Sequence, residues 1–373
     1  MKKISALILC GTALVILNGC DSLGPTPTTT TTASSTTTTT LQSLQFQAEI
    51  VESNNVGADS AIAVDKNDKI HISYNDAEKG VLKYATGESG AWIISSIDND
   101  GSSANGQTSI GLDSTDHAFI SYRGSRYLKC ANNAVGSWGT TLVDSTNAAT
   151  GHKTSIALDS TGKPHISYTL YAGTTYQVSY AFRDTPTHWQ LTVIDPTASD
   201  FSTIDTDNSD KTHISYYDLF NADLKYATDR SGSWEIETLE SQGDVGKSSS
   251  IALDSNDNVH ISYYDFSGSL KYITNLSGSW VITTVEAGTV GGYTDIAIDT
   301  NDRPHISYYD YLDTSLKYAR NLAGSWETFV VDTGDVGKYN ALALDSHNKP
   351  HFSYYKDSTA RLERLLKYAR QIN

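Results

Sequence analysis

Between Asp254 and Ser262 the chain reads DSNDNVHIS, which sets a carboxylate, the imidazole of His260 and the hydroxyl of Ser262 close together in sequence. An acid that orients a histidine, which in turn takes a proton from a hydroxyl, is the machinery of nucleophilic catalysis. That chemistry needs one cluster of unlike groups at one place. Here the set keeps returning. HISY begins at His71, His165, His213, His260 and His305, reads FISY from Phe119, and reads HFSY from His351. Six residues before each stands an aspartate: Asp65, Asp113, Asp159, Asp207, Asp254, Asp299 and Asp345, at spacings of 48, 46, 48, 47, 45 and 46. Seven copies place these groups at seven separate positions. The set therefore reads as structure: Asp and His hydrogen-bond across adjacent strands, with Ser, and satisfy polar atoms buried between units.

The elements that hold these groups repeat with them. LKYA or a variant follows in every unit, then GSW or a relative, and all six tryptophans (Trp92, Trp138, Trp189, Trp234, Trp280 and Trp326) fall at that one place. Each unit reads as four short strands. SIALD alternates small and large residues, a turn such as SNDN reverses the chain, HISYY is the second strand, LKYA the third and SWEIETLE the fourth. Pro164, Pro304 and Pro350 precede the second strand, where a missing N–H is tolerated. Four strands per unit of about 45 residues is the blade of a β-propeller. The last unit ends at LLKYARQIN after its third strand, and FQAEIVES (Phe46–Ser53) aligns with WEIETLES (Trp234–Ser241), with Phe46 in the tryptophan's place. An N-terminal strand thus completes the seventh blade and closes the ring, which leaves no long open edge. Of 23 tyrosines, 13 occupy only two repeat positions and read as blade-to-blade packing. The repeated lysine (Lys83, Lys129, Lys225, Lys271, Lys317, Lys367) lays its stem on an aromatic and turns its head to an acid or water.

Outside the repeats, MKK followed by ISALILCGTALVIL reads as a secretory signal over residues 1–19, too short to span a bilayer. LNGC (Leu17–Cys20) resembles a bacterial lipobox, although Asn18 is not the usual residue there; the resemblance implies cleavage before Cys20 and its lipidation. Residues 20–43 include GPTPTTTTTASSTTTTT, a Thr/Ser-rich stretch with no aromatic residue to repay ordering, and read as a disordered tether of roughly 70 Å when extended. Residues 44–373 form the propeller. Of three cysteines, Cys10 leaves with the signal and Cys20 carries lipid, so no disulfide framework is possible; Cys130 stands in LKCA where sister units have tyrosine and reads as buried. A net charge of −16 with no basic stripe disfavours nucleic acid and polyanionic glycans.

Function is sought on the face where inter-blade loops and second-to-third-strand loops emerge together. GDVGK and the residues after SYYD put Asp244, Lys247, Asp335 and Lys338 beside Tyr217–Asp218, Tyr264–Asp265 and Tyr309–Asp310. Aromatic faces beside carboxylates and lysines suit sugar rings, and near-equivalent loops predict several weak sites. The alternative is that GDVG is a turn and YYD a strand end. Departures from the repeat mark other places: blade two reads YRGSR, with Arg123 and Arg126 where sisters carry acid, and blade four enters through PTASDFST. DSTG and DSND lack the full ligand pattern and closing glutamate of a calcium loop, and no zinc, P-loop or nucleophile-elbow motif occurs. No catalytic residue, metal or cofactor is assigned.

By its repeats and its closure, the chain over residues 44–373 resembles bacterial propeller proteins with sialidase-like (Asp-box) or lectin-like repeats. LDSTGK matches only the middle of the Asp-box pattern, and the resemblance is architectural. It implies an all-β, seven-bladed propeller with four-stranded blades. The expectation is a monomeric lipoprotein at the bacterial cell envelope, membrane-held through its lipid, whose propeller binds a glycan or an envelope protein. The alternative is a propeller-type polysaccharide lyase or glycoside hydrolase drawing on Arg123, Arg126 and a nearby Tyr127 or Asp113.

Overall fold

The computed structural model describes residues 43–99, 107–146, 150–173, 175–197, 199–322, 324–357 and 364–373. The expected signal, Cys20 and nearly all of the expected tether lie outside the described residues. From Leu44 onward the chain is one unit. Its described residues form 28 strands in seven antiparallel four-stranded sheets. Six sheets are consecutive in sequence. The seventh pairs Phe46–Glu52 with Leu365–Gln371, beside Pro350–Lys356 and Val336–Leu344, so the N-terminal strand does close the last blade. The first strand of each blade packs against the first strands of its two neighbours, and that of blade seven returns to Val56–Val64 of blade one. The fold is therefore a seven-bladed β-propeller. We name the strands A to D outward from the axis.

Each strand's composition follows from its radius. A strands crowd around the axis and carry Ser, Thr and Ala. B strands, buried on both faces between neighbouring blades, are Tyr- and Ile-rich, and VHISYYD (Val259–Asp265) is buried at every residue. D strands lie at the rim, and EIETLE (Glu235–Glu240) is almost wholly exposed.

The Asp–His–Ser set is divided among three tasks. Asp254 caps the A–B turn: Oδ1 accepts the backbone N–H groups of Asn256 and Asn258, both at 2.9 Å, while Asp257 turns the chain at φ 61°. Its Oδ2 lies 3.4 Å from His260 Nε2. An ionised carboxylate only accepts, so Nε2 carries the proton and Nδ1 accepts from the Tyr272 hydroxyl at 2.5 Å. Ser262 does not meet the histidine. Its Oγ accepts from Thr294 of the next blade at 2.7 Å. The equivalent links are Ser73–Thr108, Ser121–Thr154, Ser215–Ser249, Ser307–Asn340 and Ser353–Ser60, which stitches six of the seven blade junctions.

The opposite face of each B strand makes a second junction. Tyr263 Oη donates to Glu240 Oε2 at 2.5 Å, and Lys271 Nζ reaches Glu240 Oε1 at 2.6 Å, with Glu240 supplied by the D strand of the preceding blade. Glu52, Asp98, Asp195, Glu286 and Asp332 take the same two donors from the blade that follows. Blade three has Ser179 in place of the lysine, and Tyr168 bonds Asp144 at 2.8 Å. The tryptophans pack edge-on against the LKYA tyrosine of the preceding blade, as Trp280 does on Tyr226 at 5.4 Å. Phe46 meets Tyr318 in the same manner at 5.9 Å. In blade two Phe119 replaces the histidine and Cys130 its tyrosine partner. Both ends of one buried hydrogen bond are lost together, and Trp189 packs against the apolar cluster that results.

Two outcomes are expected. Phe46→Ala opens the closing blade and should lower stability by about 2 kcal/mol in urea unfolding, since half-buried aromatic truncations fall below the fully buried range; an unchanged midpoint would contradict the closure. The second concerns pH. Burial lowers the pKa of His71, His165, His213, His260 and His351 below 6.5 against the pull of the paired aspartates, and lowers that of His305 to about 4. The unfolded chain takes up these protons first, so their contribution is whole above about 6.5 and is lost as pH falls toward 4. Buried Asp59, Asp200, Asp295 and Asp205, the last pushed up to about 6, act in the opposite sense and offset part of this. A His305→Phe/Tyr318→Cys variant, copying blade two, should therefore lose less stability than the parent between pH 6.5 and 4.

Candidate functional site

Val245 at the start of one A strand pairs with Asp265 at the end of the B strand beside it, so inter-blade and B–C connections share one face. Two of the expected groupings assemble there. Tyr217 Oη donates to Asp244 Oδ1 at 2.8 Å, and Lys247 Nζ reaches Asp244 Oδ2 at 3.2 Å while lying 5.1 Å over the Tyr217 ring and 4.1 Å over Phe266. Tyr309, Asp335 and Lys338 repeat this, with both donors on Asp335 Oδ1 at 3.2 and 3.1 Å and the ammonium 5.6 Å over the ring. Blade five has no such acid and lysine for Tyr264, so two complete trios stand where the repeat suggested a series.

Asp218, Asp265 and Asp310 lie beneath this face. Each caps its B–C turn, as Asp218 Oδ1 does by accepting from the backbone of Phe220 and Asn221 at 2.9 and 3.0 Å, and each pairs with the lysine of its own C strand. Burial would raise the pKa of Asp218 and Asp265, but the lysine and the turn donors outweigh it and hold both below the ordinary carboxylate range. Arg123 ends a B strand half-buried, with Arg126 exposed in the connection that follows. Asp113 lies at the other end of that strand, in an A–B turn, where it accepts from Thr115 and His117. The two arginines and this acid therefore do not form a site. Tyr127 lies on the arginines' side.

Residues missed in the sequence make the face continuous. Phe266 and Tyr311 both contact Tyr264, at 5.3 and 5.7 Å between centroids. Tyr311 contacts Tyr309 at 5.0 Å, Tyr309 contacts Tyr293 at 6.2 Å, Tyr293 contacts Tyr339 at 4.7 Å, and Tyr339 contacts Tyr355 at 6.3 Å. This arc of rings runs from blade five to blade seven. Phe266 and Tyr311 stay 55% and 41% exposed, whereas Tyr217, Tyr264 and Tyr309 are buried. The available signal was an aromatic in blades five to seven at loop positions where sister repeats vary, as Tyr293 and Tyr339 stand where others carry Asp59, Gln107, Lys153 or Ser248.

The arc leads to the axis. One residue per blade occupies the same place near the start of its A strand: Asp59, Gln107, Lys153, Phe201, Ser248, Tyr293 and Tyr339. Five of these, Asp59, Phe201, Ser248, Tyr293 and Tyr339, have left-handed φ between 51° and 57° at breaks in A–B pairing. Bulky side chains seldom adopt that conformation, and it marks a functional candidate. Behind them lies an axial cavity of about 170 Å³, lined mainly by Ser, Thr and Asn of the A strands. On the opposite face a groove of about 360 Å³ runs beside the A–B turns of blades four to six; its carboxylates Asp257 and Asp302 accept from Asn208 and Ser255 of the preceding blades.

Among the described residues no group of three or more His, Cys, Asp or Glu could hold a metal ion, and no helix is long and apolar enough to cross a membrane. Cys130 is buried, and burial pushes its thiol up to about 12, which makes it a poor nucleophile.

No protein-family profile matches the chain, and no curated protein matches it in sequence. Solved structures do match in shape. A polysaccharide lyase, Uly1, superposes with a TM-score of 0.58 at 9% identity, over 84% of this chain and 90% of its own. The fucose-specific lectin from Aleuria aurantia gives 0.55 at 13% identity, over 75% and 96%. The lectin SapL1, solved with alpha methyl fucoside, gives 0.53 at 13%, over 75% and 98%. At these identities the likeness is one of fold.

The glycine of VG in the inter-blade loop is a packing requirement. Gly291 has φ 106°, and a Cβ there would stand 2.8 Å from Leu270 Cα. Gly291→Ala should destabilise the protein by about 1–3 kcal/mol in urea unfolding and loosen the Tyr293 backbone; a neutral effect would contradict the close approach.

Proposed function

We propose that this chain is a carbohydrate-binding propeller, lipidated at Cys20 and displayed at a bacterial cell envelope. The observation that carries the reading is the exposed pair of rings, Phe266 and Tyr311, flanked by Lys247 with Asp244 on one side and Lys338 with Asp335 on the other. Sugar rings offer apolar C–H faces ringed by hydroxyls. Partly exposed aromatics beside groups that donate and accept hydrogen bonds match both features. Two lectins among the structural neighbours support the reading by analogy of fold alone. The strand that closes the ring begins at Phe46 on the A–B turn side and ends at Glu52 on the loop face. The ligand is a neutral or mildly charged glycan, since the acidic chain repels polyanions.

The test is a glycan array with residues 44–373, followed by titration of the strongest binder. Phe266→Ala and Tyr311→Ala should each weaken binding by about tenfold, the loss of one stacking face, while leaving the melting temperature near the parent's. A blank array, or unchanged affinity in both variants, would overturn the reading and direct attention to an envelope protein as partner. Turnover of the bound glycan that Arg123→Ala/Arg126→Ala abolished without altering stability would make the protein a lyase or hydrolase instead.

A further inference from the structure

Blade six differs from its neighbours at the position that decides how its loop aromatic lies. Phe266, Tyr311 and Asp357 hold equivalent places just past the B strands of blades five, six and seven. The backbone N–H of each donates to the preceding inter-blade loop, at the carbonyls of Asp244, Thr289 and Asp335, over 2.9, 3.1 and 3.2 Å. Lys247, Gly292 and Lys338 are likewise equivalent, since each pairs with the second tyrosine of its own B strand: Tyr264, Tyr309 and Tyr355. In blade five the lysine stands 4.1 Å over the Phe266 ring, and in blade seven it lies 3.6 Å from Asp357. Blade six has lost both loop charges, because GDVGK of these neighbours reads GTVGG there.

Tyr311 fills the space the lysine left. A Cβ at Gly292 would stand 2.5 Å from Tyr311 Cζ and 2.6 Å from its Cε2, far inside van der Waals contact. The ring reaches across the blade junction, 5.7 Å from Tyr264 and 5.0 Å from Tyr309, yet stays 41% exposed. Gly292 differs in this from Gly291. Its backbone is not left-handed, so the conformation admits alanine, and the nearest obstacle to a side chain is the Tyr311 ring itself.

We infer that Gly292 is the specificity-determining residue of the loop face, giving the chain a single saccharide subsite, at blade six, for a sugar without an acidic group. The inference rests on the carbohydrate reading above. Seating Tyr311 over Gly292 presents an uncharged aromatic shelf between two charged trios, whereas at the sister positions a lysine covers the ring or meets an acid. The C–H face of a sugar stacks on that shelf, and Phe266, with one face under Lys247, forms its edge. A carboxylate on the sugar gains no partner there, because Lys247 and Lys338 are already paired with Asp244 and Asp335.

Gly292→Ala keeps the backbone and moves only the far end of Tyr311, so it displaces the ring from a folded protein. The first readout needs no ligand: residues 44–373 are treated with tetranitromethane and nitration is mapped by mass spectrometry. Burial pushes the Tyr311 phenol up to about 12, which slows its reaction in the parent. Gly292→Ala should raise Tyr311 nitration several-fold at a melting temperature near the parent's. The same proteins are then titrated calorimetrically with the methyl glycosides of glucose, galactose and mannose and with the matching uronates. The parent should bind its preferred neutral glycoside at one per chain and several-fold more tightly than the corresponding uronate. Gly292→Ala should weaken that glycoside about tenfold. Gly292→Lys, which restores the neighbours' residue, should weaken it likewise and narrow the gap to the uronate. Unchanged nitration in Gly292→Ala, two or more glycosides per parent chain, or an affinity that Gly292→Ala leaves intact would each overturn the inference. Raised nitration with no glycoside bound by the parent would overturn the carbohydrate reading instead, while upholding Gly292 as the seat of Tyr311.

Discussion

Every blade junction rests on a carboxylate held in common. A D-strand acid of one blade, Glu240 for example, takes a tyrosine hydroxyl from the next blade's B strand and an ammonium from its C strand, both in a half-dry crevice. The charge is paired and its oxygens are bonded, so it is tolerated where an isolated one would not be. The two donors come from adjacent strands, which fixes the angle between blades as well as their contact. On the other side of the same B strand, the Asp–His–Tyr line pins the A–B turn to the C strand, and the serine link reaches the neighbouring A strand. Six of the seven B strands are thus bonded in both directions around the ring. The ring closes because the strand that carries Glu52 pairs with Leu365–Gln371, far away in sequence, while Glu52 takes its donors from Tyr74 and Lys83 of blade one.

Blade two departs from this scheme in a matched pair. Blade two drops histidine and tyrosine together for Phe119 and Cys130, which leaves neither half of the bond stranded. Its turn acid, Asp113, accepts from the ring of His117 instead. Blade three loses the lysine and keeps the tyrosine on Asp144. In blade two the variation strands no polar group, whereas blades three and four leave the hydroxyls of Ser167, Ser179 and Ser202 buried without a partner among the described residues.

The loop face is where the blades stop being alike. The backbone bulge at the head of the A strand recurs, but its side chain changes from acid to aromatic around the ring, and strained backbone is held there by the glycines packed on the preceding blade. A symmetric frame with one asymmetric ring of side chains gives the axis a polar, charged sector near Asp59 and Lys153 and an aromatic sector near Tyr293 and Tyr339. The exposed rings of Phe266 and Tyr311 extend the aromatic sector outward.

The repeat, the four-strand blade and the closure by Phe46–Glu52 were legible in the sequence, because each blade solves the same packing problem with the same residues and period. So was the structural character of the Asp–His–Ser set, since seven copies cannot share one place. Its division of labour was not legible: strand alternation says that His260 and Ser262 share a face but not that the next blade's Thr294 claims the serine. The site was half-readable. Tyr217 with Asp244 and Lys247 could be assembled from spacing, whereas Asp218, Asp265 and Asp310 looked equally available until the turns that consume them were formed. The contacts of Tyr264 with Tyr311 and of Tyr293 with Tyr339 join residues of neighbouring blades, and only the packing of blade on blade brings them together. The sequence thus determined the blade and the ring. Tertiary structure decided which side chains meet at the axis, because neighbours there are set by the curvature of the ring and the angle of each bulge.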